Sequence, residues 1–197
     1  MKIHNILFLS LLLVTNVSFA QTPQQKITIS TIKSGQNPLL TIGDQEFREK
    51  FKNKSLPEFS LSDINGKLIS SKDLLGKKIH INFWSVTCKY CIQEFPELDS
   101  LKKKYGNEFI YVSFAPESTE KVKEVIKKHP LSYVIIADAK KFYEDLGIDG
   151  YPKNFFVERN GIIKFVTDGS SLKWNSKTKE SESNNYKYYD ELMSQLN

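Results

Sequence analysis

The chain has 197 residues, 40% of them hydrophobic and 12% aromatic, a length that points to one domain, two at most, and a composition too apolar for a disordered chain. Lys and Arg number 28 against 23 Asp and Glu, for a net charge of +5; the excess is mild, and no compact basic stretch interleaved with aromatics suggests nucleic-acid binding, so no nucleic-acid partner is expected. Two cysteines exclude a disulfide-stapled miniprotein, and a single strongly apolar run excludes a multi-span membrane protein.

That run lies at the N-terminus. Met1-Lys2 supplies a small basic start, residues 6–14 (ILFLSLLLV) are apolar, and Ser18-Phe19-Ala20 forms a small-x-small pattern before Gln21. The stretch falls short of the about 20 residues that cross a bilayer and reads as a secretory signal over residues 1–20, with an uncleaved anchor as the alternative. The protein is therefore expected to be exported, to the periplasm, where disulfides persist.

Residues 21–54 form an N-terminal extension. Residues 26–32 (KITISTI) alternate and read as a half-buried strand, and residues 47–51 as a short amphipathic turn. From residue 55 onward a second domain is expected. Residues 59–61 and 68–69 flank Asn65-Gly66 as a hairpin, and residues 71–76 read as a short helix stopped by Gly76. Residues 79–84 (IHINFW) are apolar enough for a buried strand. Cys91, Phe95, Leu98, Leu101 and Tyr105 follow at spacings of three and four, one helical stripe, with Pro96 expected to kink it. Next come a strand over 109–114, a helix over 120–128, a strand over 133–137 and a helix over 140–146. Residues 154–158 and 162–167 bracket Asn160-Gly161 as a second hairpin. Residues 170–185 are polar and charged and read as a mobile loop, and residues 186–196 as a closing helix. This order predicts an α/β fold with a central mixed sheet flanked by helices.

Cys88 and Cys91 stand at the junction of the buried strand and the long helix. The unpaired N–H groups of a helix start favour a thiolate, and Lys89 adds positive charge. Cysteines so placed have pKa values of roughly 3.5–7.5, which makes Cys88 a nucleophile and Cys91 the thiol that resolves its mixed disulfides. Two other readings compete: a structural disulfide, which in so small a loop constrains the unfolded chain little, and half of a zinc site. Zinc would need two more ligands, and His4, His80 and His129 are not at finger spacing, so no metal is expected.

Phe83-Trp84-Ser85-x-Thr87-Cys88-x-x-Cys91-x-x-Glu94-Phe95-Pro96 resembles the active-site stretch of the exported thioredoxin-like TlpA/ResA group. Leu56-Pro-Glu-Phe-Ser-Leu before Asp63-Ile-Asn-Gly-Lys, and Leu146-Gly-Ile-Asp-Gly-Tyr151-Pro152 before Phe155-Phe-Val-Glu-Arg-Asn-Gly-Ile, resemble the flanks of that group in the same order. The resemblance covers residues 56–168. It implies a thioredoxin-like fold with an N-terminal β extension, and a thiol–disulfide oxidoreductase that needs no cofactor beyond a redox-active Cys88–Cys91 disulfide. It also implies a cis peptide at Pro152, Tyr151 offering its backbone to an extended client, and Glu94 assisting proton movement at the cysteines. Trp84 is either a substrate contact or core packing. Partners implied are client protein disulfides, among them apocytochrome c during cytochrome c maturation, and a membrane thiol–disulfide electron donor; the direction implied is reduction, and a monomer is the default.

The chain departs from the pattern at several places. Asn82 stands where ordinary thioredoxins carry a buried Asp, which removes acid–base duty from that position and leaves it to Glu94. Thr87 replaces a Trp, Lys89-Tyr90 lacks the frequent Pro, and Tyr151 is bulkier than usual. An oxidant or isomerase, a peroxiredoxin-like peroxidase, and a non-catalytic binding module with a structural disulfide are the alternative functions.

Overall fold

Along the strand Lys78–Phe83, Ile79, Ile81 and Phe83 face one side while His80 and Asn82 face the other, since successive side chains alternate. All five are buried, so both faces of this strand are covered. The structure, a computed structural model, describes residues 42–169, 172–175 and 180–197. The expected signal over 1–20 and the strand over 26–32 lie outside the described residues. The elements in order are α1 (Ile42–Phe51), β1 (Ser60–Ser62), β2 (Leu68–Ser70), a 3-10 turn (Ser71–Leu74), β3 (Lys78–Phe83), α2 (Lys89–Tyr105), β4 (Phe109–Phe114), α3 (Thr119–Lys128), β5 (Val134–Ile136), α4 (Lys140–Leu146), β6 (Lys153–Val157), β7 (Ile163–Asp168), β8 (Leu172–Asn175), β9 (Glu180–Ser183) and α5 (Asn185–Ser194).

The central sheet has the order β5-β4-β3-β6-β7. β3, β4 and β5 run parallel, and β6 and β7 antiparallel beside them. The sheet is mixed, as the element order predicts. On one face Phe47 and Phe51 of α1, together with Tyr143 and Leu146 of α4, cover Ile79, Ile81, Phe83, Phe114 and Phe155. On the other, Phe95, Leu98 and Leu101 of α2, Val122 of α3 and Tyr189 and Met193 of α5 pack around Phe109, Tyr111 and Phe156. Each fully buried aromatic of this kind contributes about 1.5–3 kcal/mol.

Local chemistry explains the ends. Ser118 caps α3 by accepting from Lys121 N–H, with Glu120 in the first turn and Lys127 and Lys128 in the last. In the β1–β2 turn, Asp63 Oδ1 accepts from the Asn65 and Lys67 N–H groups. Ser70 and Asp73 form a reciprocal capping box on the 3-10 turn. Gly147 closes α4 at φ +75, a left-handed cap that suits glycine, and leads into the Pro152 loop.

Three expectations are corrected. Residues 47–51 are the end of a ten-residue helix, α1, not a turn. Between Ile42 and Phe47 it carries only Gly, Asp, Gln and Glu, so no periodic stripe announces it. The helix is held by Phe47 and Phe51 packing on Phe155, with ring centroids 5.9 and 5.1 Å away, and it belongs to the same compact unit as the sheet. Residues 170–185 are not one loop: β8 and β9 pair antiparallel within them. Glu180–Ser183 is wholly polar and Leu172–Asn175 only four residues long, too little for a strand to stand out in so polar a stretch. The expected helix over 71–76 is a 3-10 turn of four residues. Pro96 lies inside α2, as its place within the stripe predicts.

Candidate active site

β3 delivers the chain to the edge where the parallel strands end, and the loop after it is tied down on both sides. The Tyr143 hydroxyl of α4 accepts from Trp84 N–H at 3.1 Å and donates to the Trp84 carbonyl at 2.9 Å. From the segment after β4, Glu117 accepts from Ser85 Oγ at 2.6 Å and from Val86 N–H at 3.3 Å. Ser85 then accepts from Cys88 N–H through its carbonyl at 2.9 Å. The loop thus arrives at α2 in a fixed orientation.

Cys88 is the N-cap of α2, and its Sγ accepts from Cys91 N–H at 3.2 Å. The two cysteines form a disulfide, S–S 2.08 Å with Cα atoms 5.3 Å apart. Cys88 is half-buried and Cys91 buried, while Lys89 and Tyr90 between them are exposed. The first turn of α2 holds no acidic residue, so no carboxylate there opposes negative charge on Cys88, and the helix N–H groups favour it. A partner sulfur can reach Cys88 and not Cys91, the asymmetry that an attacking and a resolving thiol require.

Glu94 lies one turn beyond Cys91 and is 0% exposed. Burial pushes its carboxyl up to about 8, against hydrogen bonds from Asn82, Tyr189 and Asn185 that pull it down. Near pH 7 it is therefore mostly neutral yet able to give up its proton. Asn82 Nδ2 donates to Glu94 Oε1 and to Asn154 Oδ1, both at 3.0 Å. Asn154 Nδ2 donates to the Tyr189 hydroxyl at 2.9 Å. His80 extends the chain of contacts: its Nε2 lies 3.1 Å from Asn154 Oδ1 and its Nδ1 2.9 Å from the Tyr133 hydroxyl. Burial holds the His80 ring down to about 3, so it is neutral, donating from Nε2 and accepting at Nδ1.

The Tyr151–Pro152 peptide is cis. Tyr151 is half-buried, its ring 5.8 Å from that of Tyr143, and Pro152 is buried with its carbonyl accepting from Gly169 N–H at 2.8 Å. Trp84 is 0% exposed and packs edge-to-face on Phe95 at 5.0 Å, which supports packing over substrate contact. Among the described residues no group of three or more His, Cys, Asp or Glu could hold a metal ion. Asn154, Asn185, Tyr189, His80 and Glu117 are the site residues that sequence reasoning missed. Of these only His80, a polar residue breaking an apolar strand, carried a readable signal.

The Redoxin family model matches residues 51–184. The chain belongs to the Redoxin family. Within it the chain is 31% identical over 121 residues to the thioredoxin-like protein YneN of Bacillus subtilis, covering 59% of this chain and 71% of that one. It is 33% identical over 114 residues to the thiol-disulfide oxidoreductase ResA of Bacillus thuringiensis, covering 56% and 65%. The chain thus spans just under two thirds of that ResA. Among solved structures it is similar to a thiol-disulfide oxidoreductase from Bacteroides fragilis, with TM-score 0.53 and 25% identity over 59% of this chain and 92% of that one. The thioredoxin domain of a thiol-disulfide oxidoreductase from Bacteroides vulgatus shares the fold, with TM-score 0.58 and 19% identity over 72% and 97%. This Redoxin is a thioredoxin-like thiol–disulfide oxidoreductase, as the resemblance in its sequence implies.

Proposed function

We propose that this Redoxin is an exported, periplasmic protein-disulfide reductant in which Cys88 attacks, Cys91 resolves and Glu94 carries the proton. The observation that supports it most is the disulfide itself: an accessible Cys88 at the N-terminus of α2, a buried Cys91 one turn inside, and a buried carboxyl one turn further on. In the reduced protein the Cys88 thiolate attacks one sulfur of a client disulfide. The client disulfide breaks, a Cys88–client disulfide forms and one client thiolate leaves. Cys91 then loses its proton, attacks Cys88 Sγ, and releases the second client thiolate as the Cys88–Cys91 disulfide forms. Two electrons pass to the client, and Glu94 accepts or returns the proton of the buried thiol. The backbone at Tyr151 and Pro152 receives the client as an extended segment.

Regeneration requires a dithiol donor, which for an exported protein is a membrane thiol–disulfide carrier. The client class that fits is a secreted or membrane-bound chain with a closely spaced cysteine pair, apocytochrome c among them; no cofactor is needed, and the protein acts as a monomer. The signal-like residues 1–20 support export, and among the described residues no helix is long and apolar enough to cross a membrane. The test is a trapping experiment. Cys91→Ser should accumulate a mixed disulfide between Cys88 and a model disulfide protein, which dithiothreitol releases, while Cys88→Ser should form none. Equal trapping by both variants, or by neither, would overturn the assignment.

A further inference from the structure

Two of the three side chains that meet the Glu94 carboxyl come from the far end of the chain. Oε1 accepts from Asn82 of β3. Oε2 accepts from Asn185 Nδ2 at 2.6 Å and from the Tyr189 hydroxyl at 3.4 Å, both on α5. Asn185 is the first residue of α5, and both it and Tyr189 are 0% exposed. α2 itself holds the helix in that place. Tyr186 N–H donates to Glu97 Oε2 at 3.1 Å, and Asp190 accepts from the Tyr105 hydroxyl at 2.8 Å and from Lys104 at 2.5 Å. Glu94, Glu97, Lys104 and Tyr105 thus dock one helix by polar contacts at its N-terminus and near its middle. The opening N–H groups of α5, the positive end of its dipole, face the acidic pair Glu94 and Glu97.

A helix that merely covered the sheet would need only its apolar residues there, Tyr189 and Met193 among them. A buried amide aimed at a buried carboxyl is costly if either loses its partner, so its placement is specific. We propose that Asn185 and Tyr189 are positioning residues for Glu94, so that the C-terminal helix decides how readily the carboxyl next to the redox pair holds its proton. The proposal rests on the reading of Glu94 as the proton carrier. The other groups facing this carboxyl are Asn82 from β3, Glu97 from its own helix, which disfavours a second negative charge, and Tyr133 from the segment leading into β5. Tyr133 and Tyr189 stay protonated across the working range because burial lifts both well above 10. His80 does not touch the carboxyl; it meets it through Asn154, Tyr133 and the ring of Tyr189.

The test follows the Glu94 carboxyl directly, by carbon NMR of the oxidised full chain labelled at glutamate, from pH 5 to 10, with the signal identified by its loss in Glu94→Gln. Asn185→Leu fills the same volume without a donor, and should move the titration midpoint upward by about one pH unit or more, the loss of one hydrogen bond to a charged acceptor. Tyr189→Phe keeps the ring and should move it upward by less. Should Asn185→Leu fail to fold, Tyr189→Phe decides alone. A folded variant with the wild-type midpoint overturns the proposal, since a helix that only packs would not set a titration. The pH profile of disulfide exchange at Cys88 is recorded alongside. A shifted midpoint with an exchange profile unchanged in these variants and in Glu94→Gln supports the positioning by α5 and overturns the proton role of Glu94.

Discussion

Replacing Glu94 by Gln in the oxidised protein keeps the side-chain shape and removes its proton. In the native state the carboxyl titrates near 8 rather than at its ordinary 4.5. Between those values the folded chain holds a proton that the unfolded chain has lost, so the unfolded state gains on the folded one as pH rises through that window. The stability that the neutral carboxyl preserves is complete below about pH 4.5 and is lost by pH 8. At 1.36 kcal/mol per pH unit the total is about 5 kcal/mol. His80 acts in the opposite sense. Its ring is held near 3, below the ordinary 6.5, so stability rises with pH through that window. The two slopes offset each other between about pH 4.5 and 6.5, and the wild type should be flat there and fall from 6.5 to 8. Urea unfolding of both proteins at pH 5, 6, 7 and 8, followed by circular dichroism, gives their difference in stability at each pH. That difference cancels every other titrating group, and it should shift in favour of Glu94→Gln by several kcal/mol across the series. Parallel curves would refute the buried, high-titrating Glu94 on which the proton role depends.

His80→Gln removes the opposing slope, so its stability should decline steadily from pH 4.5 to 8, with no plateau, in the same unfolding series. Arg48→Met removes a guanidinium nitrogen that meets both Asp168 oxygens at 2.7 and 2.8 Å; the Asp168 side chain is only 2% exposed, and the loss should cost about 1.5–3 kcal/mol by urea midpoint. Phe155→Ala opens a cavity among Phe47, Phe51 and Phe83 and should cost about 3–5 kcal/mol, with thermal unfolding as the readout and a loss below 1 kcal/mol as the contrary result.

Most of the sheet was legible because its strands are short apolar runs, 79–84, 109–114 and 154–158, between helices with clear stripes. Cys88 and Cys91 were legible because a strand, two cysteines and a helix are local in sequence. The cradle of Glu94 was not. Asn82, Asn154, Asn185 and Tyr189 are dispersed over more than 100 residues, and each alone looks like a polar residue in an ordinary strand or helix. Only the sheet register, which sets Asn82 opposite Asn154, and the docking of α5 bring them together. α1 was legible only as a turn over 47–51 for a similar reason: its partner Phe155 is remote, and residues 43–46 show no apolar period.

The reduction potential of the Cys88–Cys91 pair tests the central claim most directly. Equilibrating the folded protein against dithiothreitol and glutathione buffers should reveal one two-electron couple between about −230 and −300 mV, the range of a reductant. A value near about −120 mV would make the protein an oxidant, and a disulfide that neither buffer reduces would contradict redox function altogether.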